Sequence, residues 1–248
     1  MPTPSRSAIR RFSRGRVLAI LAAGLLAGLD RADASGLIVS WDRCGDGRVA
    51  NRAFTCDTNV GTDTLVVSFL APFNFPKLAH ADIFLYVCFQ GFKLPDWWRV
   101  LGAGGCRSGA LTVTAVSPGA GCTPIWDPVG GSTQTVFETG HTILNGFEFM
   151  ASVSVGDSAR ARDIVAGQEF ELTRLVLGHT RTTGPGACQG CAIGAVVGAD
   201  FVWLYTTDGH NVGTSGESYV TWQDTTTVCR AISPVRNRTW GSIKSQYR

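Results

Sequence analysis

From residue 36 onward, apolar and polar residues in this chain alternate more often than they follow a helical period. Eight runs of strand length, 36–41, 64–70, 82–89, 110–116, 146–155, 169–177, 200–206 and 218–223, are bounded by Gly, Pro, Asn or Asp. In Phe147-Glu148-Phe149-Met150-Ala151-Ser152-Val153 the apolar side chains fall mainly on every second position. That predicts a half-buried strand with Phe147, Phe149, Ala151 and Val153 inward and Glu148 outward. Between Phe170 and Leu177 the alternation slips near Arg174, the mark of a β-bulge, with Glu171 expected outward. Ile83-Phe84-Leu85-Tyr86-Val87 is apolar without a break, as in a strand covered on both faces. No long helical pattern separates these runs and no fixed-period repeat is visible. The pattern predicts an all-β fold, an antiparallel two-layer β-sandwich of about eight strands with jelly-roll or Ig-like connections.

Two segments depart from this pattern. The stretch 117–145 is turn-rich and weakly patterned, yet it holds Cys122 and Trp126, so it reads as an excursion from the sandwich rather than a linker. At the C-terminal end Thr239 is placed to cap a short helix carrying Trp240, Ile243 and Tyr247 on one face. So short a helix does not persist alone in water, so it must dock or remain a tail.

The opening residues follow a different logic. Arg6, Arg10, Arg11, Arg14 and Arg16 precede an apolar run from Val17 to Leu29, and Ala32-Asp33-Ala34 follows. A basic start, a short apolar core and an A-x-A exit describe a secretory signal peptide over 1–34, cleaved on export. The apolar core is well short of the roughly twenty residues that span a membrane. The expected organisation is therefore a signal peptide (1–34), one β-sandwich domain (35–229) and a basic amphipathic tail (230–248), with no transmembrane segment after cleavage. The protein is expected to be secreted, periplasmic or at the cell surface.

This division changes the meaning of the charge. The whole chain is +3, but six arginines and two aspartates lie in the first 34 residues. Without them, 16 basic side chains face 17 acidic ones. The tail holds Arg230, Arg236, Arg238, Lys244 and Arg248 with no acid, which leaves residues 35–229 at −6. No basic stripe of the kind that binds nucleic acid is present.

All eight cysteines follow the signal segment, so export would expose them to oxidation. Local pairing joins Cys44 to Cys56 and Cys106 to Cys122, and leaves Cys88 for Cys229. Cys188 and Cys191 form a C-x-x-C with three competing readings: a structural disulfide, a redox dithiol, or half of a zinc site with His179 as a third ligand. The structural reading is preferred, because Gly and Pro precede the pair and no second C-x-x-C exists.

Candidate chemistry is sparse. Asp57, Asn59 and Asp63 occupy positions 1, 3 and 7 of a segment that echoes part of a calcium loop, though position 5 is Gly61 and position 12 is Ser68. An Asp/Asn-rich turn is the competing reading. No G-x-S-x-G, H-E-x-x-H or phosphate-cradling loop occurs, and His80, His141, His179 and His210 are scattered. No catalytic residue is assigned, and no cofactor is expected beyond that possible calcium. The seven tryptophans are more informative. Trp41, Trp203 and Trp222 lie in predicted strands and are expected in the core. Trp97 and Trp98 are adjacent; in an extended segment one would bury and the other face water, where with Trp126 or Tyr86 it could stack on a sugar ring or grip a protein. The alternative, preferred here, is that both wedge into the core edge.

Five segments carry a resemblance. They are Ser40-Trp41-Asp42-Arg43-Cys44, Leu94-Pro95-Asp96-Trp97-Trp98 with Gly105-Cys106-Arg107, Thr182-Thr183-Gly184-Pro185-Gly186-Ala187-Cys188-Gln189-Gly190-Cys191, Thr221-Trp222-Gln223, and the closing Thr239-Trp240-Gly241-Ser242-Ile243-Lys244-Ser245-Gln246-Tyr247-Arg248. Together they resemble a group of uncharacterised exported bacterial proteins, across most of the chain after residue 34. That group carries no known activity, so the resemblance implies no catalytic residue. It implies a further cysteine shortly after the C-x-x-C; here 192–198 has none, with Cys88 as the substitute. More loosely, the layout is similar to cohesin-like and carbohydrate-binding sandwiches.

Three functions follow as expectations. The first is a secreted, non-catalytic module binding a glycan or an extracellular protein through Trp97, Trp98 and Trp126. The second is a structural or surface-assembly protein sorted by its C-terminal tail. The third is a secreted hydrolase using carboxylates of 117–145 or of outward strand faces.

Overall fold

Valine, threonine, aromatics and closely spaced turn residues build strands here. The structure is a computed structural model that describes residues 36–224 except 90, 92, 101–103, 116–120, 127–131, 138–140, 144–145 and 217. In chain order the strands are β1 (Gly36–Trp41), β2 (Asn51–Arg52), β3 (Thr62–Leu70), β4 (Phe75–Phe89), β5 (Leu111–Thr114), β6 (Thr123–Pro124), β7 (Ser132–Phe137), β8 (His141–Ile143), β9 (Gly146–Gly156), β10 (Arg162–Ile164), β11 (Glu169–Gly178), β12 (Ala195–Thr206), β13 (Asn211–Ser215) and β14 (Tyr219–Trp222). All eight expected strands are among them. Single 3-10 turns at Gly45–Gly47, Asp96–Trp98 and Ser158–Arg160 are the helical elements among the described residues.

The strands form two sheets. The smaller has the order β1-β3-β11-β5, with β6 added beside β11. The larger runs β2-β14-β12-β4-β9-β7, with β10, β13 and β8 paired to β4, β12 and β9. Pairing is antiparallel apart from the short contacts of β6 with β11 and β2 with β14. Leu37, Val39, Leu65, Val67, Phe69, Leu175 and Leu177 from the smaller sheet meet Ile83, Leu85, Val87, Val153, Val155, Val197, Val202 and Leu204 from the larger in one buried core. This is a two-layer, disulfide-stapled β-sandwich.

Three local expectations shift. The bulge in β11 lies between Glu171 and Thr173, just before Arg174. The strand covered on both faces is β3, where Leu65 through Phe69 are all buried, and not β4. In β4, Ile83, Leu85 and Val87 are buried while Phe84 and Tyr86 are half-buried, because nothing described overlies that outer face. On the outer side of β3, Val66 packs against Cys44 and Cys122.

The disulfides also differ from local pairing. Cys44 joins Cys122, Cys56 joins Cys191, and Cys106 joins Cys188. Each links residues at least 78 positions apart. Spacing favoured neighbours, but the sheets carry neighbouring cysteines to separate places. Cys44 meets the 121–126 segment, which β6 holds against β11, whereas Cys56 meets the 182–191 loop. Cys88 is disulfide-bonded; its expected partner Cys229 lies outside the described residues, as do the signal segment and the tail.

Candidate functional site

Of the sequence candidates, Trp97 and Trp98 come together in the interior. Asp96–Trp98 is a 3-10 turn, so Trp97 and Trp98 do not point in opposite directions as in a strand; both are buried. Trp97 stacks on Trp222 with ring centres 5.0 Å apart, Trp98 meets both edge-on, and Trp41 and Phe89 extend the cluster. The Arg107 guanidinium lies 3.6 Å from the Trp97 ring centre and donates to the carbonyls of Trp97, Gly178 and Thr180. Burial alone pulls its pKa down to about 10. Trp126 is buried as well, its Nε1 donating to the Leu172 carbonyl at 2.7 Å. Trp97, Trp98 and Trp126 therefore offer no exposed ring to a ligand, and the wedge reading of the adjacent pair holds.

Hydrogen bonds tie this knot to the 182–191 loop and to β14. Trp97 Nε1 donates to Thr182 Oγ1, Trp222 Nε1 to the Cys191 carbonyl, and Trp41 Nε1 to the Thr221 carbonyl. Cys188 and Cys191 each bond a distant cysteine, so neither is a redox thiol or a zinc ligand. His179 places Nε2 2.7 Å from Asp63 Oδ2 and Nδ1 3.1 Å from the Val60 carbonyl, with Phe54 stacked on its ring.

The calcium candidates are drawn to different partners. Asp57 accepts from Thr55, Asn59 bridges to the backbone of Thr182 and Thr183, and Asp63 accepts from His179 beside Arg52. Among the described residues one trio of potential metal-binding side chains converges, Cys44, Cys122 and Glu169, and its two sulfurs are joined to each other. Glu171 is not outward and solvated: it is buried in an ion pair with Arg174 at 2.6 Å. The side chain of Glu148 lies outside the described residues.

A different surface carries exposed chemistry. On the outer face of the larger sheet, strand register sets Tyr205 beside His80, Trp203 beside Asp82, and Phe201 beside Phe84. Asp82 and Phe84 in turn neighbour Ser154 and Ser152 of β9. Trp203, expected in the core, is 38% exposed, and Tyr219, paired with Gly198 further along β12, is 41% exposed. Phe84, Tyr86, Phe201 and Tyr205 are half-buried. Glycine makes room for these rings: a Cβ at Gly198 would overlap the Tyr86 ring, and one at Gly213 would overlap Phe201 and Trp203. Phe201 meets Trp203 edge-on at 5.0 Å.

Asp82 is the polar centre of this face. Ser154 Oγ donates to its Oδ1 at 2.5 Å and His80 Nε2 at 2.9 Å, and Tyr205 supplies a third hydrogen bond. Burial, the largest single influence, raises the carboxyl's pKa; the hydrogen bonds from Ser154, His80 and Tyr205, with the field of His80, together outweigh it and hold the value below that of an ordinary carboxylate. Burial and then Asp82 raise the Tyr205 phenol. The arrangement is not a hydrolytic triad. Its serine bonds the carboxylate rather than the imidazole, so no base takes the hydroxyl proton.

These residues had a legible sign. In β4 and β12 aliphatics occupy one parity (Ile83, Leu85, Val87; Val202, Leu204) and aromatics the other (Phe84, Tyr86; Phe201, Trp203, Tyr205). A two-layer sandwich buries one parity, and it takes the aliphatics. Compared with known proteins, the chain matches no family model, no curated protein and no solved structure.

Proposed function

We propose that this chain is a secreted, non-catalytic β-sandwich module that binds a glycan through the outer face of its larger sheet. The observation that carries the reading is the aromatic ledge of Phe201, Trp203 and Tyr205 standing beside the Asp82–His80–Ser154 hub on adjoining strands. Indole and phenol rings offer apolar faces to the C–H faces of a pyranose, and the hub offers hydrogen bonds to its hydroxyls. The acceptor and aromatic groups lie on strands, which hold them in fixed register.

Export is supported by the basic-apolar-small pattern of residues 1–34 and by disulfides that persist in oxidising compartments. Among the described residues no helix is long and apolar enough to cross a membrane. The test is affinity electrophoresis against a panel of soluble polysaccharides, with Trp203→Ala beside the natural protein. A retarded band that returns to free mobility in Trp203→Ala, with an unchanged melting temperature, is the expected result. Retardation equal in both proteins would overturn the assignment to this face.

A further inference from the structure

We propose that the glycan taken by this face carries free protonated amines, an amino-sugar polymer, and that Asp82 reads them. The inference rests on the glycan reading above and narrows it.

The argument turns on where the protons point. An ionised carboxylate only accepts, so Ser154, His80 and Tyr205 all aim their protons at Asp82. What Ser154 Oγ and the Tyr205 oxygen keep for a ligand is lone pairs. A carboxylate has about four acceptor sites, so Asp82 keeps one after three donors have arrived. The hub is thus an array of acceptors, matched by a ligand rich in N–H and O–H. It has little to give a uronic acid, sulfate or phosphate.

Charge points the same way. Across the patch itself, at His80, Asp82 and Phe84 of β4, Phe201, Trp203 and Tyr205 of β12, β13, and Ser152 and Ser154 of β9, the register places no Lys or Arg; the exposed Lys77 of β4 lies beyond His80 at the start of that strand. The net charge of residues 35–229 is −6. Trp203 stands directly opposite Asp82 across the β4–β12 ladder. An ammonium on Asp82 therefore lies beside an exposed indole, where the ring's negative face adds to the attraction. An ammonium-to-carboxylate hydrogen bond is about twice as strong as a neutral one. A hydroxyl in the same place loses both the charge and the indole contribution.

The experiment is calorimetric titration of the purified protein with glucosamine, N-acetylglucosamine, glucose and galacturonate oligomers of equal length, at about pH 6, where an aliphatic amine is protonated. The glucosamine oligomer should bind about tenfold more tightly than the neutral ones, and the galacturonate oligomer not detectably. In Asp82→Asn that preference should fall to near unity, with the amine oligomer losing more affinity than the neutral ones, which lose one hydroxyl contact. Ser154→Ala, which keeps the charge, should keep the preference. Trp203→Ala should lose every oligomer. Equal affinity for amine and neutral oligomers, both lost in Trp203→Ala, would overturn the amine reading and leave the glycan reading standing. An amine preference that survives Asp82→Asn or Trp203→Ala would also overturn it, as general attraction to an acidic protein. If no oligomer binds, both readings fall together.

Discussion

Two groups of aromatic residues of similar size have opposite surroundings. In the end knot, Trp41, Trp97 and Trp222 each aim the indole N–H at a fixed protein acceptor, and Arg107 closes over Trp97. On the outer sheet face, Phe201, Trp203 and Tyr205 have aliphatic neighbours behind them, glycine at their side, and the Asp82 hub on the adjoining strands. The knot holds Trp41, Trp97, Trp98 and Trp222 of the motif segments, and each of these indole N–H groups except that of Trp98 finds a protein acceptor. The face holds none of those segments, and its rings stand partly in the open. The motif aromatics among the described residues therefore build the interior, and the exposed aromatics lie where the pattern looked ordinary.

The sharpest way to break this contrast is to remove one member from each group. Trp97→Ala deletes a fully buried indole, and Arg107→Ala leaves three carbonyls without their donor. Each should cost about 3–5 kcal/mol in urea unfolding. Trp203→Ala should cost about 1 kcal/mol or less, because its ring is substantially exposed. If Trp203→Ala proves as destabilising as Trp97→Ala, the outer ledge is structural and the contrast disappears.

A smaller effect sharpens the account of the knot. Cys106–Cys188 ties the 182–191 loop to the segment carrying Arg107. Replacing both cysteines with serine should cost about 2–4 kcal/mol, read as a lower unfolding midpoint. Ligand affinity on the outer face should not change, since neither cysteine lies on the larger sheet. Lost binding in a variant that still folds would join the two regions and refute their independence.

The layer architecture was legible because period-two alternation is a local signal that registers directly as strands; all eight expected strands formed. Disulfide partners were not, because Cys44 and Cys122 meet only after β3 and β11 have paired, and spacing carries no trace of that event. That Trp97 and Trp98 both wedge into the core edge was the preferred reading, but the backbone that does it was not legible: neighbours oppose each other in a strand, whereas Pro95 opens a 3-10 turn that buries both. Trp203 was misplaced for a third reason. Its strand is apolar on both parities, and size alone does not decide which set faces inward. The parity shared with β4 does, since aliphatics interdigitate between sheets more closely than rings whose polar edges need partners. Asp82 was invisible because its significance comes from Ser154 and Tyr205, residues brought beside it by register.

The smallest expected effect tests the hub by titration. The folded protein holds the Asp82 carboxyl below its ordinary value of 3.8. A carboxylate depressed on folding contributes stability that is complete above the unfolded value and is lost as the pH falls through the native one. Asp82→Asn, which removes that dependence, should therefore differ from the natural protein by a constant amount at neutral pH. The gap between their unfolding midpoints should narrow only below about pH 4. A gap that stays constant through that acid range would show that folding does not favour the ionised Asp82 carboxylate, and the hub on the outer face would lose its centre.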